Sequence, residues 1–148
     1  MATIRPANYD DVRAITRILQ CASPGFEFSG YSRSDWADLT KTRDLVVAEC
    51  FRDVVGFGIV RLRGYGRYTC RVAYIEGVYA LPREKDPTVR PLLLEACQEA
   101  ARRAGHRSVL VLTELDQVGF FRQAGFEILG AEYDLFKRCY LAKRIGTC

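Results

Sequence analysis

The stretch from Tyr74 to Gly105 constrains the fold most, because it reads as a strand, a loop and a long amphipathic helix in direct succession. The strand, Cys70 to Ala80, is rich in β-branched and aromatic residues. A loop from Leu81 to Asp86 follows. The helix then ends at Ala104, with Val89, Leu92, Leu93, Ala96, Cys97 and Ala100 on one face. Gly105 supplies a left-handed stop, and Arg102 and Arg103 fall in the last turn, where cations are favoured. The wholly apolar run Val109 to Leu112 then reads as a buried strand parallel to the first. Together they make a βαβ unit with a right-handed crossover.

Upstream, Thr3 to Pro6 is a short strand. Asp10 and Asp11 can cap a helix whose face carries Val12, Ile15, Ile18 and Leu19. Ala22 to Gly30 reads as a loop or broken helix. Ser32-Arg33-Ser34-Asp35 resembles a capping box before a short helix that buries Trp36 and Leu39. Two strands follow, Leu45 to Cys50 and Val54 to Leu62, with the bend at Arg52-Asp53. Gly56 and Gly58 mark a bulge or a close backbone approach in the second. Downstream, Leu115 to Gln123 is a short helix stopped by Gly125, and Phe126 to Leu129 and Leu135 to Lys143 are two closing strands. With no repeat or linker, residues 1–148 read as a single domain.

Composition narrows the function classes. Lys and Arg number 22 against 18 Asp and Glu, well mixed along the chain. The stretch Arg61 to Tyr68 interleaves cations with aromatics, a pattern suited to nucleic acid or to an ordinary solvated strand end; the second is the expectation. The six cysteines are scattered, with no C-x-x-C pair and one histidine, His106, so no metal site is expected and reduced thiols are. Following Gly105, His106 is expected to have no role beyond contact with the helix's negative end. No apolar run is long enough to span a membrane. Met1 to Pro6 lacks the layout of a signal peptide, so a cytoplasmic protein is expected.

The phrases Tyr74-Ile75-Glu76-Gly77-Val78-Tyr79-Ala80-Leu81-Pro82, Ala100-Ala101-Arg102-Arg103-Ala104-Gly105, Val109-Leu110-Val111-Leu112 and Gly119-Phe120-Phe121-Arg122-Gln123-Ala124-Gly125-Phe126 carry a resemblance. In order and spacing they resemble the GNAT superfamily of N-acetyltransferases, as does the opening Ile4-Arg5-Pro6-Ala7. The resemblance implies an α/β fold, a mixed, strongly twisted sheet of about seven strands flanked by about four helices. It also implies acetyl-CoA as acyl donor and a small-molecule amine as acceptor.

On the same resemblance, Glu76 is the proton acceptor or the carboxylate that positions the amine; a solvent-facing residue or a structural ion-pair partner is the alternative. Main-chain groups at Val78, Tyr79 and Ala80 would contact the acetyl and pantetheine groups. The family's pyrophosphate loop, Q/R-x-x-G-x-G/A, aligns with Lys85, Asp86, Thr88, Val89 and Arg90. Here Lys85 keeps the cation, but Thr88 and Arg90 replace the two small residues. Pro87 and Pro91 each remove an N–H donor, and Asp86 adds a negative charge. Lys85 and Arg90 can recover phosphate affinity through their side chains. The family's usual acidic tyrosine corresponds to Phe121, which cannot donate a proton; Tyr79, Tyr133 and Tyr140 are substitutes or sheet aromatics. Phe28, Tyr31 and Trp36 lie in the segment expected to border the acceptor.

Two functions stay open. One is an acyl-CoA-dependent N-acetyltransferase acting on an amine of aminoglycoside, polyamine or amino-acid type. The other is a non-catalytic protein of the same fold that binds a ligand or partner and has lost normal CoA binding. A homodimer through the aromatic terminal strand is compatible with either.

Overall fold

A capping box begins the first helix. Asn8 accepts from the N–H of Asp10, while the Asp11 carboxylate accepts from the N–H of Asn8. Asn8 therefore caps, where the sequence pointed to Asp10 and Asp11, because an asparagine set back by one turn reaches the free N–H groups. The structure is a computed structural model and describes residues 2–22, 32–42, 44–62, 72–129 and 138–146. Strand β1 (Thr3–Pro6) precedes this cap, and helix α1 (Val12–Ala22) follows a single 3₁₀ turn. Helix α2 (Arg33–Thr40) begins at Ser32 with the expected capping box to Asp35.

Strands β2 (Leu45–Cys50) and β3 (Asp53–Arg61) form a hairpin. Its two turn residues are Phe51 and Arg52, both with positive φ (51° and 69°), one residue earlier than the sequence suggested. That turn normally takes Asn-Gly, since a side chain there costs about 1 kcal/mol or more per residue. In β3, Val55 is the extra residue of a bulge: Ala48 pairs with Gly56 and Glu49 with Val54. The Val55 carbonyl turns instead to the N–H of Leu81 at 2.9 Å.

Strand β4 (Val72–Ala80), helix α3 (Val89–Arg103) and strand β5 (Ser108–Glu114) complete the βαβ unit. Helix α4 (Val118–Gln123) and strands β6 (Glu127–Ile128) and β7 (Arg138–Arg144) follow. Among the described residues the sheet has seven strands, ordered β1-β2-β3-β4-β5-β7-β6. β4 and β5 are parallel, as expected, and β5 runs antiparallel to β7, so the sheet is mixed. Gly105 and Gly125 end their helices at φ of +88° and +93°, conformations that side chains resist. The buried stripe of α3 runs through Val89, Leu93, Leu94, Cys97 and Ala101, while Leu92 is 38% exposed. The helix is thus rotated from the predicted face, which brings Gln98 inside as well.

Two compact units emerge, Met1–Ile59 with Val78–Cys97, and Val60–Gly77 with Gln98–Cys148; β3, β4 and α3 each begin in one and end in the other. The first unit's core joins Val12, Ile15, Ile18, Trp36, Leu39, Leu45, Val47, Phe57, Ile59 and Leu81. Each such large apolar side chain contributes about 1.5–3 kcal/mol. Ala73, Ile75, Ala101, Val109, Val111, Phe121, Phe126, Cys139 and Leu141 are buried in the second. No helix among the described residues is long and apolar enough to cross a membrane.

Beside the cap, Arg5 ties β1 to the helix start by donating to both oxygens of Asp11 and to Glu49. Burial pushes the Asp11 carboxyl up, but the bond from Arg5 and the N–H of Asn8 outweigh it and hold it below its ordinary 3.8. A depressed folded-state value adds stability above the unfolded value, which is lost as pH falls through the folded one. Asp11→Asn should therefore flatten the fall in unfolding free energy below about pH 4. Urea titrations at stepped pH measure this, and an unchanged slope would contradict it.

Candidate functional site

Parallel pairing of β4 with β5 stops at Ile75 opposite Val111, so Glu76 is the first β4 residue past that ladder. Up to this point burial alternates, with Ala73, Ile75 and Gly77 inside and Tyr74 and Glu76 half-buried. Val78 is buried directly after Gly77, so the alternation changes phase there.

Arg61, the last residue of β3, donates from Nε to Glu76 Oε1 at 2.8 Å, with side-chain exposures of 24% and 10%. The second oxygen, Oε2, is buried and accepts no hydrogen bond. An unsatisfied buried acceptor costs about 1–3 kcal/mol, more when charged. The arrangement is thus a carboxylate bonded at one oxygen and unbonded at the other. Of the readings the sequence allowed for Glu76, the structure shows the ion-pair partner and not the solvent-facing residue.

The residues that follow lie in the first unit. Arg90 Nε donates to the Val78 carbonyl at 3.2 Å, so its side chain engages the strand assigned to the acyl arm. The Tyr79 ring packs on Phe57 at 5.2 Å, and Phe57 meets Trp36 edge-on at 6.0 Å. Trp36 is 2% exposed, so it lies in the core rather than at a surface. Ala80 is half-buried. Gly56 is the close approach expected from the sequence, since a Cβ there would stand 2.7 Å from the Tyr79 carbonyl oxygen.

The loop before α3 bears directly on a diphosphate. Asp86 N–H donates to Glu84 Oε1, Thr88 N–H and Oγ1 both donate to Asp86 Oδ1, and Val89 N–H goes to the Asp86 carbonyl. Pro87 has no N–H, so the chain itself takes every amide from Asp86 to Val89. These amides do not fit a diphosphate cradle as they stand. The bonds from Thr88 hold the Asp86 carboxyl below its ordinary range, so it stays anionic. The Val89 side chain is buried, with its Cγ1 beside Gly56, whereas Lys85 and Arg83 are exposed. Arg83 went unremarked in the sequence, although a second cation two residues before Lys85 was visible there.

Phe121 is buried edge-on between Phe120 and Phe126, at 5.0 and 5.5 Å, so it serves packing. Tyr140 is 44% exposed on β7 opposite Leu112. Phe28, Tyr31 and Tyr133 lie outside the described residues, as does most of the basic stretch after Leu62. His106 corrects its expectation: it is buried, its main-chain N–H binds Ala101, and its Nε2 binds the Leu62 carbonyl. Of the cysteines, Cys97 is fully buried, which pushes its thiol up to about 12, and Cys21, Cys50 and Cys139 are free thiols too. No cluster fit to hold a metal occurs among the described residues.

No protein-family model matches the chain, and no curated protein matches it in sequence. Solved structures do. Ard1 from Thermoplasma volcanium shares 21% identity over 99% of both chains, with a TM-score of 0.77. The PaiA N-acetyltransferase from Thermoplasma acidophilum, solved with coenzyme A, shares 11% over 97% of this chain and 99% of its own, at 0.79. Rv2747 from Mycobacterium tuberculosis, solved in a complex containing CoA, shares 16% over 96% of this chain and 98% of its own, at 0.80. The fold is therefore that of the GNAT N-acetyltransferases, as the sequence resemblance implied.

Proposed function

We propose that the protein is an acyl-CoA-dependent N-acetyltransferase that acetylates the amine of a small molecule, of aminoglycoside, polyamine or amino-acid type. The observation that carries this reading is the buried, uncommitted Oε2 of Glu76 just past the β4–β5 ladder. Acetyl-CoA supplies the activated acetyl thioester. Glu76 Oε2 accepts the proton that the amine must lose, directly or through one water, as the amine nitrogen bonds the acyl carbon. The C–S bond breaks, and the departing thiolate takes its proton from solvent, since the Phe121 ring has none to give. Main-chain groups of Val78, Tyr79 and Ala80 would hold the acyl arm, and N–H donors there would meet the developing oxyanion. Lys85 and Arg83, both exposed, are the side chains available to phosphates.

The occupied amides of 86–89 favour a second reading, a non-catalytic ligand- or partner-binding protein of this fold that has lost normal CoA binding. Titrating acetyl-CoA against thermal unfolding separates the two. Ligand at about 100 times its dissociation constant should add about 2.7 kcal/mol of stability. No shift at millimolar acetyl-CoA would refute the transferase reading. Asp86→Asn keeps an acceptor for Thr88 and removes the charge, so it should tighten CoA binding severalfold, and more at low salt. An unchanged affinity would show that Asp86 does not face the phosphates.

A further inference from the structure

We propose that Arg61 is the positioning residue for Glu76, engaging one carboxylate oxygen so that the other is held toward the amine. The inference rests on the role given to Glu76 above. Arg61 Nε donates to Glu76 Oε1 at 2.8 Å, between side chains that are both largely buried. A carboxylate offers about four acceptor sites, and the large majority of buried polar atoms are hydrogen-bonded, so an unbonded buried oxygen calls for an explanation. Here Oε2 is shielded from solvent and bonds nothing in the protein. A glutamate on a strand has three free torsions. The guanidinium fixes them by binding one oxygen and leaves a defined acceptor on the opposite side.

The strand end that carries Arg61 is itself secured. The next residue, Leu62, gives its carbonyl to His106 Nε2. A carbonyl only accepts, so Nε2 carries the ring proton and His106 acts as a donor from the turn after α3. His106 is buried and on a segment closed by Gly105, so the anchor point is fixed. The order of support therefore runs from His106 to the end of β3, from Arg61 to Glu76 Oε1, and so to Oε2.

The test is steady-state kinetics with acetyl-CoA and an acceptor amine for the wild type, Glu76→Gln, Arg61→Ala and Arg61→Lys, each with its thermal melt. Arg61→Ala should lower kcat about 10- to 100-fold, less than loss of a general base, with the KM for acetyl-CoA unchanged. Arg61→Lys should recover part of that loss, because it restores a cation without the planar fork. Free guanidinium at low millimolar concentration should raise the kcat of Arg61→Ala and leave the wild type alone. A bracing role would give no such rescue. If Arg61→Ala does not fold, partial activity of Arg61→Lys with an unmoved KM supports the proposal, and wild-type activity in Arg61→Lys overturns it. Slow Glu76→Gln beside an undiminished Arg61→Ala, or a slow Arg61→Ala that guanidinium does not rescue, overturns the role of Arg61 alone. Undiminished turnover in Glu76→Gln overturns the reading of Glu76 beneath it.

Discussion

Glu76→Gln is expected to slow acetyl transfer about 10²- to 10⁴-fold, the range lost with a general base, while acetyl-CoA binds as before. Glutamine matches glutamate in shape, so the change is almost purely one of proton affinity. The amide oxygen can still accept from Arg61 Nε, which now donates to Oε1 at 2.8 Å. Its NH₂ would then replace Oε2, turning the one unbonded acceptor of that carboxylate into a donor. An amine meeting a donor cannot shed its proton there. Loss confined to kcat places Glu76 at the reacting nitrogen, and an equal rise in KM for the amine would make it a binding group instead. Turnover within about twofold of the wild type removes it from the mechanism.

Gly56→Ala is expected to be among the most damaging small changes in the chain. The added methyl would stand 2.7 Å from the Tyr79 carbonyl oxygen, 2.9 Å from Leu93 Cδ1 and 3.1 Å from Val89 Cγ1. Leu93 is a side chain that can shift, but the Tyr79 oxygen is backbone, and it moves only if the end of β4 moves. Leu81 N–H, two residues on, is bonded to the Val55 carbonyl in the bulge beside Gly56, which resists that displacement. Overpacking of this kind costs about 1–3 kcal/mol, and a backbone clash belongs at the upper end. A loss of about 3 kcal/mol lowers Tm by roughly 10 °C in a chain of this size. Because β4's end is where the acyl arm is proposed to bind, acetyl-CoA affinity should fall as well. A Tm within about 2 °C of the wild type would show that the contact relaxes freely.

Local chemistry made much of this architecture legible. The Ser32 capping box, the Gly105 stop and the apolar β5 are each specified by a few adjacent residues, and each is present where the sequence put it. Gly56 stood out because a glycine inside an apolar strand lacks a local purpose. The rest depends on pairings that adjacency does not encode. Arg61 looked like the start of a basic stretch, yet it meets Glu76, 15 residues away, because β3 and β4 are neighbours in the sheet. His106 and the Leu62 carbonyl are 44 residues apart and meet through the turn after α3. The face of α3 was misjudged by the same kind of omission: helical periodicity gives a stripe, but which residues turn inward is set by what packs on it, and Leu92 turns out. In the loop before α3, the sequence showed the missing glycines and the two prolines. The carboxylates of Glu84 and Asp86 taking the remaining amides became visible only in three dimensions.

The most direct measurement of the central claim is thiol release from acetyl-CoA across a panel of small amines, with the acetylated product identified by mass spectrometry. The account predicts stoichiometric thiol and N-acetyl product with at least one amine class, lost in Glu76→Gln. Acetyl-CoA that binds yet is cleaved no faster with any amine than by water alone would contradict it.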